Sequence, residues 1–233
     1  MPSLSSQTDS SVSPNLHTIR RMSLKDTVVQ RISDAIKCGE LKAGEPLTEL
    51  GLARKLGVGQ PTIREALLEL EFSGLVEQVG ARKTRVTLLT RRMIDEIYVV
   101  RTHLETLAAE LVARQKGPDL SACLAQVQRM ETAAQQQAFS EFFYADLDFH
   151  RSLWRATQNQ SLEGVLERLV PKLFAFGIIQ HVKPTGPELI EIASLHRQLL
   201  ELLPTGDVEA TKQLMELSMG KAWLDDAQLP ELG

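Results

Sequence analysis

The sequence predicts a mainly α protein, with an N-terminal winged helix-turn-helix and a C-terminal all-α antiparallel helical bundle. Three observations lead there. Leu, Ala, Glu and Gln are abundant while aromatics make up only 5% of the chain, a balance that favours helix. Between residues 24 and 90, three short stretches of helical periodicity precede two stretches that alternate, or nearly so, between apolar and polar residues. Beyond Thr90 no strand pattern appears and helical spacing takes over.

In the first helix the apolar residues Leu24, Val28, Val29, Ile32 and Ile36 fall at helical spacing, and Gly39 is a natural stop. After the turn "GELKAGEP", Thr48 caps a short second helix through Leu56, which offers Leu50, Leu52, Ala53 and Leu56 to the core. "GVG" makes the next turn. Pro61 sits where a helix start tolerates a missing N–H. The third helix runs to about Phe72, burying Ile63, Leu67, Leu68 and Leu70, and Gly74 ends it. "LVEQV" and "TRVTLL" flank "GARK" as a hairpin with a glycine-containing tip. In the remainder, helices are expected at roughly 91–115, 119–138, 140–157, 161–181, 186–203 and 207–226, about six in all. "FAFGII", residues 174–179, reads as buried helix, and Pro171 is expected to kink or split the helix that carries it.

Charge divides the chain in the same place. The net charge of −4 points away from nucleic acid, but its distribution does not. Residues 16–92 hold 14 Lys and Arg against 9 Asp and Glu, whereas residues 93–233 hold 12 against 20. Halves of opposite sign suggest two domains with different partners, and the positive one favours phosphate contact. No apolar run approaches the ~20 residues that span a bilayer. "MPSLSSQTDSSVSPN" lacks the basic-then-apolar layout of a secretory signal and reads as a disordered polar tail. Cys38 and Cys123 are far apart and form no CxxC pair, which argues against a disulfide framework or a thiolate metal site. They read as buried or half-buried thiols in a reducing, cytoplasmic setting.

The stretch "GVGQPTIREAL", residues 57–67, places polar and rigid residues on the first turn of a helix. That is where the second helix of a helix-turn-helix meets the major groove, and where free N–H groups and the helix dipole favour a phosphate. Arg64 is the best candidate for a guanine edge or a phosphate, Thr62 for a phosphate or a thymine methyl, and Gln60 for an adenine edge. Arg82, Lys83 and Arg85 at the hairpin can lie along the backbone and supply salt-dependent affinity.

The stretch "LKDTVVQRISDAIKCGELKAGEPLTELGLARKLGVGQPTIREALLELEFSGLVEQ" resembles the N-terminal domain of GntR-family transcriptional regulators. The rest of the chain resembles the FadR-like branch, whose C-terminal half is an all-helical ligand-binding domain of the FCD type. Together the resemblance covers about residues 24–223. It implies a homodimeric, cytoplasmic regulator that binds a pseudo-palindromic double-stranded DNA operator, with affinity modulated by a small organic acid effector. Two positions depart from the family pattern. Gly59 and Gln60 stand where relatives usually have Ser-Arg, and Arg82-Lys83 where the wing usually has Arg-Gly. The expected organisation is a tail over 1–20, the DNA-binding domain over 21–89, the effector-binding and dimerisation domain over 90–226, and a tail over 227–233.

In the second half, Asp146 and His150 lie four residues apart, on one face of a helix, a usual start for a metal site. The resemblance implies that they converge with His196 on a divalent metal (Zn, Ni or Mn) in a buried pocket. At the place where such domains carry a further histidine, this chain has Ser218, a poor ligand that weakens the site. Three readings stay open: a metal completed by water or an acidic effector, direct bonding of an organic ligand by the histidines, or leftover polar core. Arg101 pairs at i, i+4 with Glu105, which reads as a salt bridge. The resemblance offers Arg101 a role toward the effector's carboxylate instead. His103 and His181 carry no supporting pattern. An enzyme finds no support, since no nucleophile elbow, P-loop, HExxH or glycine-rich dinucleotide turn is present. The alternatives are an effector-independent DNA-binding dimer and a metal-dependent hydrolase.

Overall fold

A computed structural model describes residues 23–80, 83–179 and 185–220. The expected tails at 1–20 and 227–233, together with Arg82 and His181, lie outside the described residues.

The head is built from α1 (Leu24–Lys37), β1 (Pro46–Leu47), α2 (Glu49–Leu56), α3 (Gln60–Phe72), β2 (Val76–Val79) and β3 (Lys83–Val86). Local chemistry starts and stops each helix. Ser23 and Asp26 form a reciprocal capping box on α1, and the Thr48 hydroxyl accepts from Gly51 N on α2. Gly57 closes α2 at φ +68°, a left-handed conformation that a side chain resists. One side of each helix meets a common core of Val28, Ile32, Ile36, Leu52, Ile63, Ala66, Leu67 and Leu70.

Two details differ from the sequence expectation. The hairpin gains a third strand, because β1 pairs antiparallel with β3 (Pro46 opposite Arg85, Leu47 opposite Thr84) on the edge away from β2. A two-residue strand is too short to leave a periodic signal. Leu68 is 54% exposed and Leu50 47%, not buried. The inward stripe of α3 is Ile63, Ala66, Leu67 and Leu70, and Leu68 lies about 100° around the helix from Leu67.

The second half is all helix: α4 (Arg91–Ala113), α5 (Ser121–Gln135), α6 (Phe139–Ala156), α7 (Gln160–Leu169), α8 (Pro171–Ile179), α9 (Gly186–Leu202), a 3-10 turn at Leu203–Thr205, and α10 (Val208–Gly220). Helix α5 packs against α6 and α9, and α4 against α10. Pro171 splits the expected 161–181 helix into α7 and α8, as a residue without an N–H does. Of the two thiols, Cys38 is exposed, contrary to expectation, while burial pushes the Cys123 thiol up to about 12 and leaves it unreactive.

Helix α8 joins the halves. Apart from Lys172, all of its residues are apolar and buried. Ala175 and Ile179 belong to the head's core, whereas Phe174 and Ile178 pack with Ala108, Phe143, Leu147 and Trp154 of the bundle. Around it, Arg151 of α6 donates from Nη2 to the Phe72 carbonyl at 2.8 Å, its guanidinium 4.0 Å above the Phe72 ring. Lys172 Nζ reaches Glu77 Oε2 at 3.2 Å. The backbones touch at Gly74, where φ is +77° and an added Cβ would fall 2.5 Å from the Pro171 carbonyl group. Gly74→Ala therefore carries both the left-handed cost of ~1–2 kcal/mol and a backbone collision. We expect a loss of stability above that figure in urea unfolding. A neutral result would mean that α8 does not seat on the head as described.

Candidate functional site

The start of α3 is arranged as a binding end. Its N-cap is Gly59, no side chain caps it, and no acidic residue lies in its first turn. The first-turn N–H groups and the positive dipole end thus face outward. Gln60 and Arg64 are exposed and Thr62 half-buried. Arg64 is already held: its Nε and Nη2 meet both oxygens of Glu49 at 2.9 and 2.8 Å. Its hydrogen bonds with Arg64 keep Glu49 below the usual carboxylate range, and the same bonds raise Arg64. Lys83 is exposed on the wing. Arg85 is half-buried and bound to Glu77 across the β2–β3 pair at 2.9 Å, next to Lys172 at the domain junction.

Inside the bundle a second constellation forms, almost dry. Asp146, His150 and His196 each aim one ligand atom at a common point, and the three atoms lie within 4.8 Å of one another. Asp146 Oδ1 is 3.1 Å from His196 Nε2 and 3.5 Å from His150 Nε2. Helix α6 supplies two of these residues one turn apart, and α9 supplies the third.

The hydrogen bonds decide which ring nitrogens face inward. His150 Nδ1 is 3.1 Å from Glu105 Oε2, and His196 Nδ1 is 2.8 Å from the Ile192 carbonyl. Both partners only accept, so both Nδ1 atoms carry hydrogen. On neutral rings, both Nε2 atoms are then acceptors facing the Asp146 oxygen, which is buried and has no hydrogen-bond partner of good geometry, and the His150 Nε2 is met by Arg101 Nη2. Converging lone pairs around an orphaned carboxylate oxygen are the donor set that a divalent cation requires. The Asp146, His150 and His196 triad could hold a metal.

Arg101 supplies positive charge at the site. Arg101 of α4 is buried, with Nη2 3.0 Å from His150 Nε2 and Nε 3.4 Å from Glu105 Oε1, and its guanidinium lies 5.0 Å from the Phe174 ring centre. Burial works against a charge on His196, but attraction to Asp146 outweighs it and raises the imidazole above its ordinary value. Burial likewise opposes ionisation of Asp146. His196, His150 and Arg101 reverse that and bring the carboxyl below its ordinary range. For Glu105, burial is overcome by His150, by Arg101 and by the Trp154 N–H, again with a lowered result. Sequence reasoning placed Arg101 and Glu105 as a pair. That Glu105 also receives His150 and Trp154 from α6 has no sequence signal, since contacts between helices leave no mark in local spacing. The Ser218 hydroxyl turns back onto the Met215 carbonyl of its own helix at 2.7 Å. His103 is exposed, with Nδ1 2.8 Å from the Val99 carbonyl.

Comparison with known proteins matches both halves. Residues 24–86 fit the model of the bacterial regulatory proteins of the gntR family, and residues 96–220 fit that of the FCD domain. The chain belongs to the gntR family, in its FCD-bearing branch. This gntR-family protein is therefore a DNA-binding transcriptional regulator and not an enzyme. It is 32% identical to the uncharacterised HTH-type transcriptional regulator YdhC of Bacillus subtilis, over 75% of this chain and 78% of that protein. It is 28% identical to the probable D-xylose utilisation operon repressor of Paenarthrobacter nicotinovorans, over 82% of each chain. It is also 26% identical to the gluconate operon repressor of Bacillus subtilis, over 74% of this chain and 72% of that protein. Its fold is that of E. coli McbR/YncC, with a TM-score of 0.65 at 23% identity, covering 86% of this chain and 95% of that one. No described helix is long and apolar enough to cross a membrane.

The Glu49–Arg64 pair sits on the head's binding end, where Glu49 both aims the guanidinium and cancels its charge. For Glu49→Gln we expect a few-fold tighter binding to random duplex and a smaller ratio of specific to non-specific affinity, read by fluorescence anisotropy at two salt concentrations. An unchanged ratio would leave Glu49 as a surface charge only.

Proposed function

We propose that this regulator is a cytoplasmic repressor that binds a pseudo-palindromic operator as a homodimer, and releases it when a small carboxylate enters a metal-bearing chamber in the bundle. One observation carries the chamber: three buried donor atoms converge with an orphaned Asp146 oxygen among them. A divalent ion (Zn, Ni or Mn) held there would neutralise the lone pairs and leave an open coordination position for a carboxylate oxygen. Arg101, buried beside it, would pair with the same anion. Ser218, at the usual fourth-ligand position, would bear on the effector side. That one relative is named for the gluconate operon agrees in charge with this reading, because gluconate is a carboxylate.

On the DNA side, the uncapped start of α3 supports entry into the major groove, with Gln60, Thr62 and Arg64 toward the bases and phosphates. Arg82, Lys83 and Arg85 of the wing would follow the backbone. One recognition helix buries too little for specificity, so two heads must act together. The effector acts only through its difference in affinity for two arrangements of the heads. Because α8 packs both against Arg101 and His150 through Phe174 and on the head's core, and Arg151, next to His150 on α6, bonds the end of α3, these are the available path between the two sites.

Two measurements test this. After an operator is selected from a random duplex pool, Arg64→Ala should weaken binding to it about tenfold or more, with the fold intact. Equal affinity would remove Arg64 from the interface. Chelator-treated protein should take up one equivalent of Co(II) or Zn(II) per chain, and Asp146→Ala should abolish that uptake. Absence of uptake by the native chain would favour direct anion binding by Arg101, His150 and His196, a reading that the Arg101–His150 contact already supports.

A further inference from the structure

The chamber contains one buried charge that the proposed function leaves without a task. We infer that Glu105 is the positioning residue of the site, setting both the aim of His150 and the resting place of Arg101. This role rests on the chamber being a metal site.

Three donors from two helices meet on this single carboxylate. His150 Nδ1 lies 3.1 Å from it, Trp154 Nε1 donates at 2.8 Å, and Arg101 Nε approaches at 3.4 Å. The side chain is fully buried. An ionised carboxylate only accepts, so His150 must keep its hydrogen on Nδ1. Its Nε2 lone pair is then directed at the point shared with Asp146 and His196. Carboxylate–histidine–metal relays of this kind fix tautomer and orientation in metal sites generally. Here the relay comes from α4, while the histidine and the tryptophan come from α6.

The same carboxylate ties the metal half of the chamber to its anion half. A lone pair serves one partner at a time. Arg101 Nη2 occupies the His150 Nε2 lone pair, the one a metal would use. With that lone pair engaged elsewhere, Arg101 keeps its tether through Nε to Glu105 and its place against Phe174, but has a free N–H to offer. An organic anion entering beside the metal meets a guanidinium that is already held in place.

Glu105→Gln is the test, since the amide is close in shape and still accepts from Trp154. We expect Co(II) affinity to fall about 10- to 100-fold. Far-UV circular dichroism and the thermal transition should stay near those of the native chain. In metal-free protein, nitrogen NMR of labelled histidine, assigned by comparison with His150→Gln, should show hydrogen on Nδ1 of His150. In Glu105→Gln that preference should be lost. Wild-type Co(II) affinity together with an unchanged His150 tautomer in Glu105→Gln would overturn the inference, as would hydrogen on Nε2 in the native metal-free chain. If Glu105→Gln fails to fold, Glu105→Asp keeps the charge and should preserve the Nδ1 tautomer; its loss there overturns the inference as well. The two readings fail separately. A native chain that takes no Co(II) sinks the metal assignment, whereas the tautomer comparison judges Glu105 without any metal.

Discussion

Charge inside an apolar bundle has to be matched, and that requirement governs the second half of this chain. Arg101, Glu105, Asp146, His150 and His196 are all buried among Phe149, Trp154 and Phe174. Removing one partner of a buried pair typically costs ~3–5 kcal/mol, because the survivor stays unpaired. The helices are therefore fixed to each other by more than shape. Helix α4 must present Arg101 and Glu105, α6 must present Asp146 and His150, and α9 must bring His196, all at hydrogen-bond range. The arrangement closes only around the unpartnered Asp146 oxygen, and there the molecule is left open to chemistry.

From that cluster to the far end of the recognition helix the route is short. His150 and Arg151 are neighbours on α6. One belongs to the chamber and the other grips the last residue of α3 by a hydrogen bond and a ring contact. Phe174 of α8 touches Arg101 and His150, and the next residue, Ala175, is part of the head's core. The guanidinium of Arg101 thus lies directly against a residue of α8. The Glu77, Arg85 and Lys172 chain provides a second tie, from the wing to α8.

Much of this is legible in the sequence where the signal is local. Helical spacing, caps and turn glycines mark α1 to α3. Asp146 and His150 advertise a shared face by their four-residue separation, and Pro171 announces a break. The illegible parts are those set by packing between distant segments. β1 is two residues long and exists because β3 offers it an edge. Leu68 looks like its neighbour Leu67, and only the orientation of α3 on α1 decides which is buried. Glu105 reads as one half of an ordinary i, i+4 pair, because nothing near it in the chain reveals that α6 will deliver an imidazole and an indole to the same oxygens. His196, on a distant helix, needed the family resemblance to join its partners.

Helix α8 also bears on how the chain comes apart. Six of its nine residues are divided among separate apolar clusters, with Ala175 and Ile179 in the head's core and Phe174 and Ile178 in a bundle cluster. The head's core and the bundle cluster around Trp154 both include residues of it. Loosening of the helical bundle around α8 would uncover part of the head's core, because Ala175 and Ile179 complete it.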